Sequence, residues 1–299
     1  MTRIGWLTAQ APASLAPYIV AFRQSLAERG LVEGKNLVID YRYGDDDLGR
    51  VPALVEALVS AGVRLIVAQG AAVGVLARRP PPVPLVFLVS GDPVAAGLAE
   101  SLARPKNNMT GFSLMAAELN GKRIQILRDI GPGLRRVALI GNPEHPGAPI
   151  ERTFADRVAE RLAVRLDWFP TANRAELATA LARMKAEPPD AVSILADGFS
   201  LANREQILAT TMDLRIPAVS GWRPFAEAGA VCTYGPKIAD CYRRLAYFVE
   251  RLLQGTKPAD LPIEQPSQFE LIVNQEAARR IAVAFPPALL AAADTVLDS

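Results

Sequence analysis

Asp92 and Asp197 are the two carboxylates that follow short apolar runs, and they are the one pair nominated for acid–base work in a shared cleft. Such a pair would suit an isomerase- or amidase-like enzyme. The rest of the reactive inventory is thin. His145 is the single histidine. It sits in a Pro/Gly-rich loop where solvation is expected, and a His-dependent triad or metal site would need partners the chain lacks. Cys232 falls inside a strand and Cys241 inside a helix, so paired-cysteine chemistry at strand ends is disfavoured and two inert buried thiols are expected. Gly70 and Gly74 lack the dinucleotide-binding spacing, and neither a Walker A lysine motif nor a G-x-S-x-G elbow occurs. No catalytic residue, metal or cofactor is assigned on these grounds.

A set of polar and small residues at the ends of apolar runs remains: Thr8, Gln10, Ser14, Gln69, Ala71, Ala72, Ser90, Gly91, Asp92, Asn142, Asp197, Trp222 and Tyr234. In an open α/β sheet the carboxyl ends of the strands are where ligands bind. Helix N-termini there supply N–H donors to an anionic group. Asp197 suits a ligand cation such as an α-ammonium. Tyr234, with Trp222 or Phe199, suits an apolar ligand part. Each residue also has a plain structural role: Asp92 and Ser14 as helix caps, Asn142 as a strand end, Trp222 as hinge packing, Tyr234 as a core tyrosine.

The elements that position these residues alternate strand and helix, which signals a parallel sheet. Leu85–Val89 reads as a strand buried on both faces. Asp92-Pro93 then reads as the start of a helix ending near Ala103, before Pro105. Upstream, strands are expected at 3–9, 37–43 and 65–68, with helices between them. Leu15, Ile19, Phe22 and Leu26 line one face of the first helix, which Gly30 stops. A second series has strands near 137–140, 164–169, 191–196, 216–219, 230–233 and 269–273. Tyr234-Gly235-Pro236 is expected as a loop and 238–253 as a long helix.

The fold class that fits is α/β, two doubly wound parallel-sheet lobes joined by a three-crossing hinge. The expected lobes are 1–113 plus 223–262, and 114–222 plus 263–299. A ligand would lie between them and be buried by hinge closure. The chain has 299 residues, half of them hydrophobic, and a net charge of +2 with no basic stripe, which argues against a nucleic-acid partner. No apolar run reaches membrane-spanning length. Thr2-Arg3 runs directly into a strand without a signal peptide, which is expected either of a cytoplasmic protein or of a chain that begins after a removed leader.

Several segments carry a resemblance: GLVEGKNLVIDYR (30–42), FLVSGDPVAAGLAESLARPKNNMTGFS (87–113), ELNGKRIQIL (118–127), TYGPKIADCYRR (233–244) and the long C-terminal stretch from Lys257 to Leu297. Together they cover nearly the whole chain. The chain resembles the substrate-binding proteins of ABC transporters, in the family that includes the tryptophan-binding component. The resemblance implies a type I periplasmic-binding fold, export to the periplasm or another extracytoplasmic space after removal of a leader, and delivery of a small solute to membrane permease subunits without catalysis. It maps the ligand loops onto Thr8–Gln10, Gln69–Ala72, Ser90–Asp92, Asn142, Asp197 and Tyr234. Where relatives often read Thr or Ser before Pro-Ala, this chain reads Gln69-Gly70-Ala71-Ala72. The expected function is capture of a small amino acid or aromatic-type organic ligand by a monomer. The competing reading is the Asp92/Asp197 enzyme. A ligand-sensing regulator would lack a DNA-reading helix-turn-helix ahead of Arg3.

Overall fold

The computed structural model describes residues 1–12, 16–105, 108–114, 116–145 and 147–298. The chain divides into two compact units. The first takes in Met1–Met115, His145–Gly147 and Ile238–Pro266; the second takes in Ala116–Glu144, Ala148–Lys237 and Ser267–Ser299.

The first unit begins β1 (Thr2–Thr8), α1 (Ala16–Glu28), β2 (Leu37–Tyr43), α2 (Val51–Ser60), β3 (Ile66–Gln69), α3 (Ala71–Arg78) and β4 (Leu85–Val89). The short strands β5 (Ala99–Ser101) and β6 (Arg104–Pro105) precede β7 (Met109–Ser113). The sheet order is β2-β1-β3-β4-β7 and every pairing in it is parallel. All five residues of β4 are buried, as a strand covered on both faces requires.

The second unit runs α4 (Ala116–Ile130), β8 (Arg136–Gly141), α5 (Ala148–Arg161), β9 (Arg165–Pro170), α6 (Arg174–Ala186), β10 (Ala191–Ile194), α7 (Gly198–Ala202) and α8 (Arg204–Asp213). It continues with β11 (Ala218–Ser220), α9 (Arg223–Glu227) and β12 (Cys232–Pro236). The chain then re-enters the first unit with α10 (Ile238–Leu253), and the second is completed by β13 (Phe269–Asn274), α11 (Gln275–Arg280), α12 (Pro287–Ala291) and β14 (Thr295–Leu297). Its sheet order is β14-β13-β12-β11-β10-β8-β9. The pairings are parallel except β12 with β13.

Helix α10 shows how pattern becomes packing. Ile238, Cys241, Tyr242, Leu245, Phe248, Val249 and Leu252 recur at helical spacing, and all are buried. Tyr242 stacks on Tyr18 of α1 with ring centroids 5.2 Å apart, and Trp6 of β1 lies 5.1 Å from Phe22. Full burial of each large side chain contributes about 1.5–3 kcal/mol, so this seam ties α1, α10 and β1 into one core.

Three sequence expectations are corrected. The segment from Asp92 to Ala103 is not a helix. Asp92 Oδ1 accepts the Val94 N–H at 2.8 Å and caps a single turn, which Gly97 ends at φ +74°. Leu98 is then fully buried and the chain turns into the β5–β6 pair. Second, Tyr234-Gly235-Pro236 is strand, not loop: β12 extends beyond β11 because β13 runs back antiparallel along it, pairing Tyr234 with Leu271 and Pro236 with Phe269. Third, residues 223–237, expected in the first lobe, belong to the second unit, since β12 lies between β11 and β13 in that sheet.

At the sheet edge, Asp167 of β9 accepts bonds from Arg165 Nε at 2.8 Å and from Arg136 Nε. The Arg165 bond first, then Arg136, holds its carboxyl below the usual carboxylate range. A depressed folded-state value means the stabilisation is fully present above the unfolded carboxylate value of about 4 and is lost as pH falls through the folded value. Asp167→Asn is therefore expected to cost about 1 kcal/mol at pH 7, after allowance for the solvent around Arg165. The gap to wild type should close in acid. Urea midpoints at pH 7 and pH 3 check this, and an equal gap at both would refute it.

Candidate ligand-binding site

In the first unit, three predicted residues meet at the carboxyl ends of β1 and β3. Thr8 is the last residue of β1, pairs with Gln69 across the ladder, and is fully buried. Its hydroxyl donates to Gln10 Oε1, and Gln69 Nε2 donates to both Thr8 Oγ1 and Gln10 Oε1. The Gln10 N–H closes the ring on Thr8 Oγ1 at 3.1 Å. All three are buried and uncharged. Such a network holds its members in one arrangement because breaking any bond leaves a buried polar atom unsatisfied.

Gly70 follows at φ +63°, a left-handed conformation that favours glycine, and opens α3 without any side-chain cap. The buried Ala71 and Ala72 form the first turn, whose N–H groups have no intrahelical acceptors. Gly91 lies against Gly147 so closely that a Cβ would collide with its Cα. Next to it, Ser90 Oγ is 3.0 Å from His145 Nε2 and 3.2 Å from Nδ1. The Gly147 N–H donates to His145 Nδ1 at 3.1 Å, which makes that nitrogen an acceptor. His145, expected to be solvated, is instead buried at 5% exposure. Its partners lie 55 residues away just past β4 and two residues away in its own loop, and nothing periodic in the sequence signals that docking. Asp92 is exposed and its carboxylate is turned to the capped turn. Ser14 lies outside the described residues.

In the second unit, Asn142 and Asp197 meet past the ends of β8 and β10. Asp197 caps α7: Oδ1 accepts the Ser200 N–H at 2.8 Å, and Oδ2 accepts the Ser200 hydroxyl at 2.9 Å and the Asn142 N–H at 3.3 Å. The carboxylate is buried, and these three donors are neutral. Asn142 Oδ1 accepts the Glu144 N–H and shapes the loop that leads to His145. Trp222 is mostly buried, 6.5 Å from Phe225 between ring centroids, and precedes α9. Tyr234 is not gathered with Asn142 and Asp197. Its ring stacks on Phe269 at 6.3 Å and lines a groove of about 750 Å³ with Ile126, Leu271 and Leu289. Its carbonyl faces inward and accepts from Arg123.

Arg123 is a residue that strand-end reasoning misses. It sits in α4 with 1% exposure, on the same face as Ile124 and Leu127. Its Nε donates to Tyr234 O at 2.9 Å, and Nη1 donates to Asn120 Oδ1. Asn120 Nδ2 passes the link to Glu151 Oε2 at 2.9 Å. Burial lowers the guanidinium pKa to about 10, with Glu151 opposing the fall, so the group stays charged at neutral pH. The available signal is an arginine at helical spacing from Leu119 and Leu127, on a face whose other members are apolar. Cys232 and Cys241 are free and buried, and burial pushes both thiols up to about 12, which leaves them without reactive thiolate at pH 7. No cluster of three His, Cys, Asp or Glu suited to a metal occurs among the described residues. No helix among them is long and apolar enough to cross a membrane.

Residues 12–297 match the family of ABC transporter substrate binding proteins. The tyrosine-binding protein of Clostridioides difficile (strain R20291) is 20% identical over 260 residues, which are 85% of this chain and 73% of that protein. A conserved domain protein from Vibrio cholerae O1 biovar El Tor superposes with a TM-score of 0.91 at 21% identity, covering 99% of both chains. The ABC domain from Streptococcus pneumoniae in complex with L-Trp gives a TM-score of 0.90 at 20% identity, again over 99% of both chains. These neighbours share the type I periplasmic-binding fold, two α/β units with parallel sheets. With its match running almost from end to end, the chain belongs to the ABC transporter substrate-binding protein family, whose members work outside the cytoplasm and hand a small solute to a permease.

Proposed function

We propose that the solute is an aromatic L-amino acid, and that this chain captures it as a monomer, without chemical turnover, after export. The observation that carries the reading is the buried, uncharged Thr8–Gln10–Gln69 network beside the uncapped first turn of α3. Fixed neutral donors next to a helix N-terminus suit a carboxylate and offer no group for proton transfer. Ser90 and Gly91 flank this cluster as further polar contacts. The name of the Clostridioides difficile relative and the L-Trp in the Streptococcus complex favour an aromatic side chain.

The enzyme alternative loses its machinery. Asp197 spends its carboxylate on Ser200 and Asn142, and Asp92 spends its own on the turn at Val94. These local capping roles favour binding over proton transfer. Protein unfolded in denaturant, dialysed and refolded to strip carried-over solute should show a raised melting temperature with L-tryptophan or L-tyrosine and none with a polyol. At one hundred times Kd the stabilisation is about 2.7 kcal/mol. Absence of a shift with every aromatic amino acid overturns the ligand class. Recovery of chemically altered amino acid after incubation overturns the non-enzymatic reading.

A further inference from the structure

We infer that Arg123 is a positioning residue for the second unit's candidate ligand residues: one buried guanidinium fixes the turn after β11 against β12. Its contacts reach β12 and the turn after β11. Nε bonds the Tyr234 carbonyl on β12 at 2.9 Å. The guanidinium rests on Gly221 at the end of β11, where a Cβ would collide with Nη2 and come within 2.8 Å of Cζ and 2.9 Å of the Ala196 Cβ at the end of β10. Gly235 in turn packs on the Gly221 carbonyl. Three residues singled out from the sequence are thus one step or less from this seat: Asp197 follows Ala196, Trp222 follows Gly221, and Tyr234 carries the accepting carbonyl.

The choice of arginine needs a reason beyond filling space. Burying a cation costs more than burying a leucine or methionine of similar volume. The planar, multi-donor fork is the one side chain that engages a carbonyl, an amide oxygen and a bare glycine backbone at once. Asn120 locks the fork from the α4 side, and the Glu151 carboxylate behind it offsets the charge. A planar group held between β12 and the turn after β11 sets the two relative to each other, which is what a preformed binding surface demands.

The inference about affinity rests on the proposed amino-acid ligand, so the test has one arm that does not. Arg123→Lys keeps the charge and loses the fork; Gly221→Ala keeps the fork and removes its seat. Backbone hydrogen exchange is followed in both variants without solute. Protection is expected to fall at least tenfold at residues 197, 221–222 and 234–235, and to stay at the wild-type level in β8 and α5. Calorimetric titration with L-tryptophan and L-tyrosine should show Kd raised at least tenfold in each variant, and the double variant should be no weaker than the weaker single one. Wild-type protection at those positions in Arg123→Lys overturns the proposal. So does a loss spread evenly through the unit, which marks a role in stability alone. If wild type binds neither amino acid, the ligand reading fails and the exchange arm still decides the positioning role.

Discussion

Gly111→Ala is expected to abolish the native fold of the first unit, costing more than about 4 kcal/mol, an exceptional value for one methyl group. Gly111 lies in β7 opposite Phe87 of β4, at φ +153°. A Cβ there would penetrate the Phe87 carbonyl and come within 2.6 Å of the Phe87 nitrogen. Both are backbone atoms in a ladder, so no rotamer change relieves the clash. The damage would spread, because the Gly111 carbonyl accepts the Glu264 N–H at 3.0 Å and so anchors the returning chain beside β7. Gly97→Ala is the control. Gly97 also has positive φ, +74°, but a Cβ there meets nothing within 4 Å. Its cost should be about 1 kcal/mol, the backbone penalty alone. Circular dichroism and urea titration of the two variants separate the effects, and equal costs would refute the steric argument.

The same glycine-rich geography marks what the sequence discloses and what it hides. Leu85–Val89 is legible because five consecutive apolar residues have no stable place except a strand covered on both faces. The buried stripe of α10 is legible because its period is local. The Asp92–Ala103 segment misleads for a physical reason: AAGLAESLA carries good helix formers, but Leu98 gains more from the core than from a helical turn, and Gly97 is free to break the turn. The extent of β12 depends on β13, more than thirty residues later, and so no local pattern contains it. The candidate site divides in the same way. Thr8, Gln10 and Gln69 were visible as polar ends of adjacent parallel strands, and they do meet. Tyr234 reads as such an end too but lies inside β12, where alternation turns its ring to the groove beside Leu271 and only its carbonyl inward. His145 and Arg123 find their partners through tertiary contact, at separations of 55 and 111 residues.

Arg123→Met is expected to cost about 2–4 kcal/mol, the penalty for taking the buried donors from the Tyr234 carbonyl and the Asn120 amide oxygen. Arg123 is 1% exposed and Glu151 2%, so water reaches neither charge without opening the fold. Methionine fills most of the volume, which confines the loss to electrostatics and to the donors taken from the Tyr234 carbonyl and Asn120 Oδ1. Glu151 lies in the first turn of α5, where the helix dipole favours a negative charge, and this softens the penalty without cancelling it. Glu151 acts on the guanidinium through space, so neutralising both charges together should recover part of the stability. The double variant Arg123→Met/Glu151→Gln keeps the Asn120–residue 151 hydrogen bond and is expected to lie within about 2 kcal/mol of wild type. That non-additivity is the signature of a coupled pair. Urea unfolding of the two single variants and the double variant gives the coupling directly, and an Arg123→Met protein as stable as wild type would show that the guanidinium carries no structural charge debt. The stability and binding readouts should then part company: the double variant regains its fold yet still lacks the fork on Gly221, so its affinity for an aromatic amino acid should remain low. A single measurement of Kd on that rescued protein separates what Arg123 does for the unit from what it does for the solute.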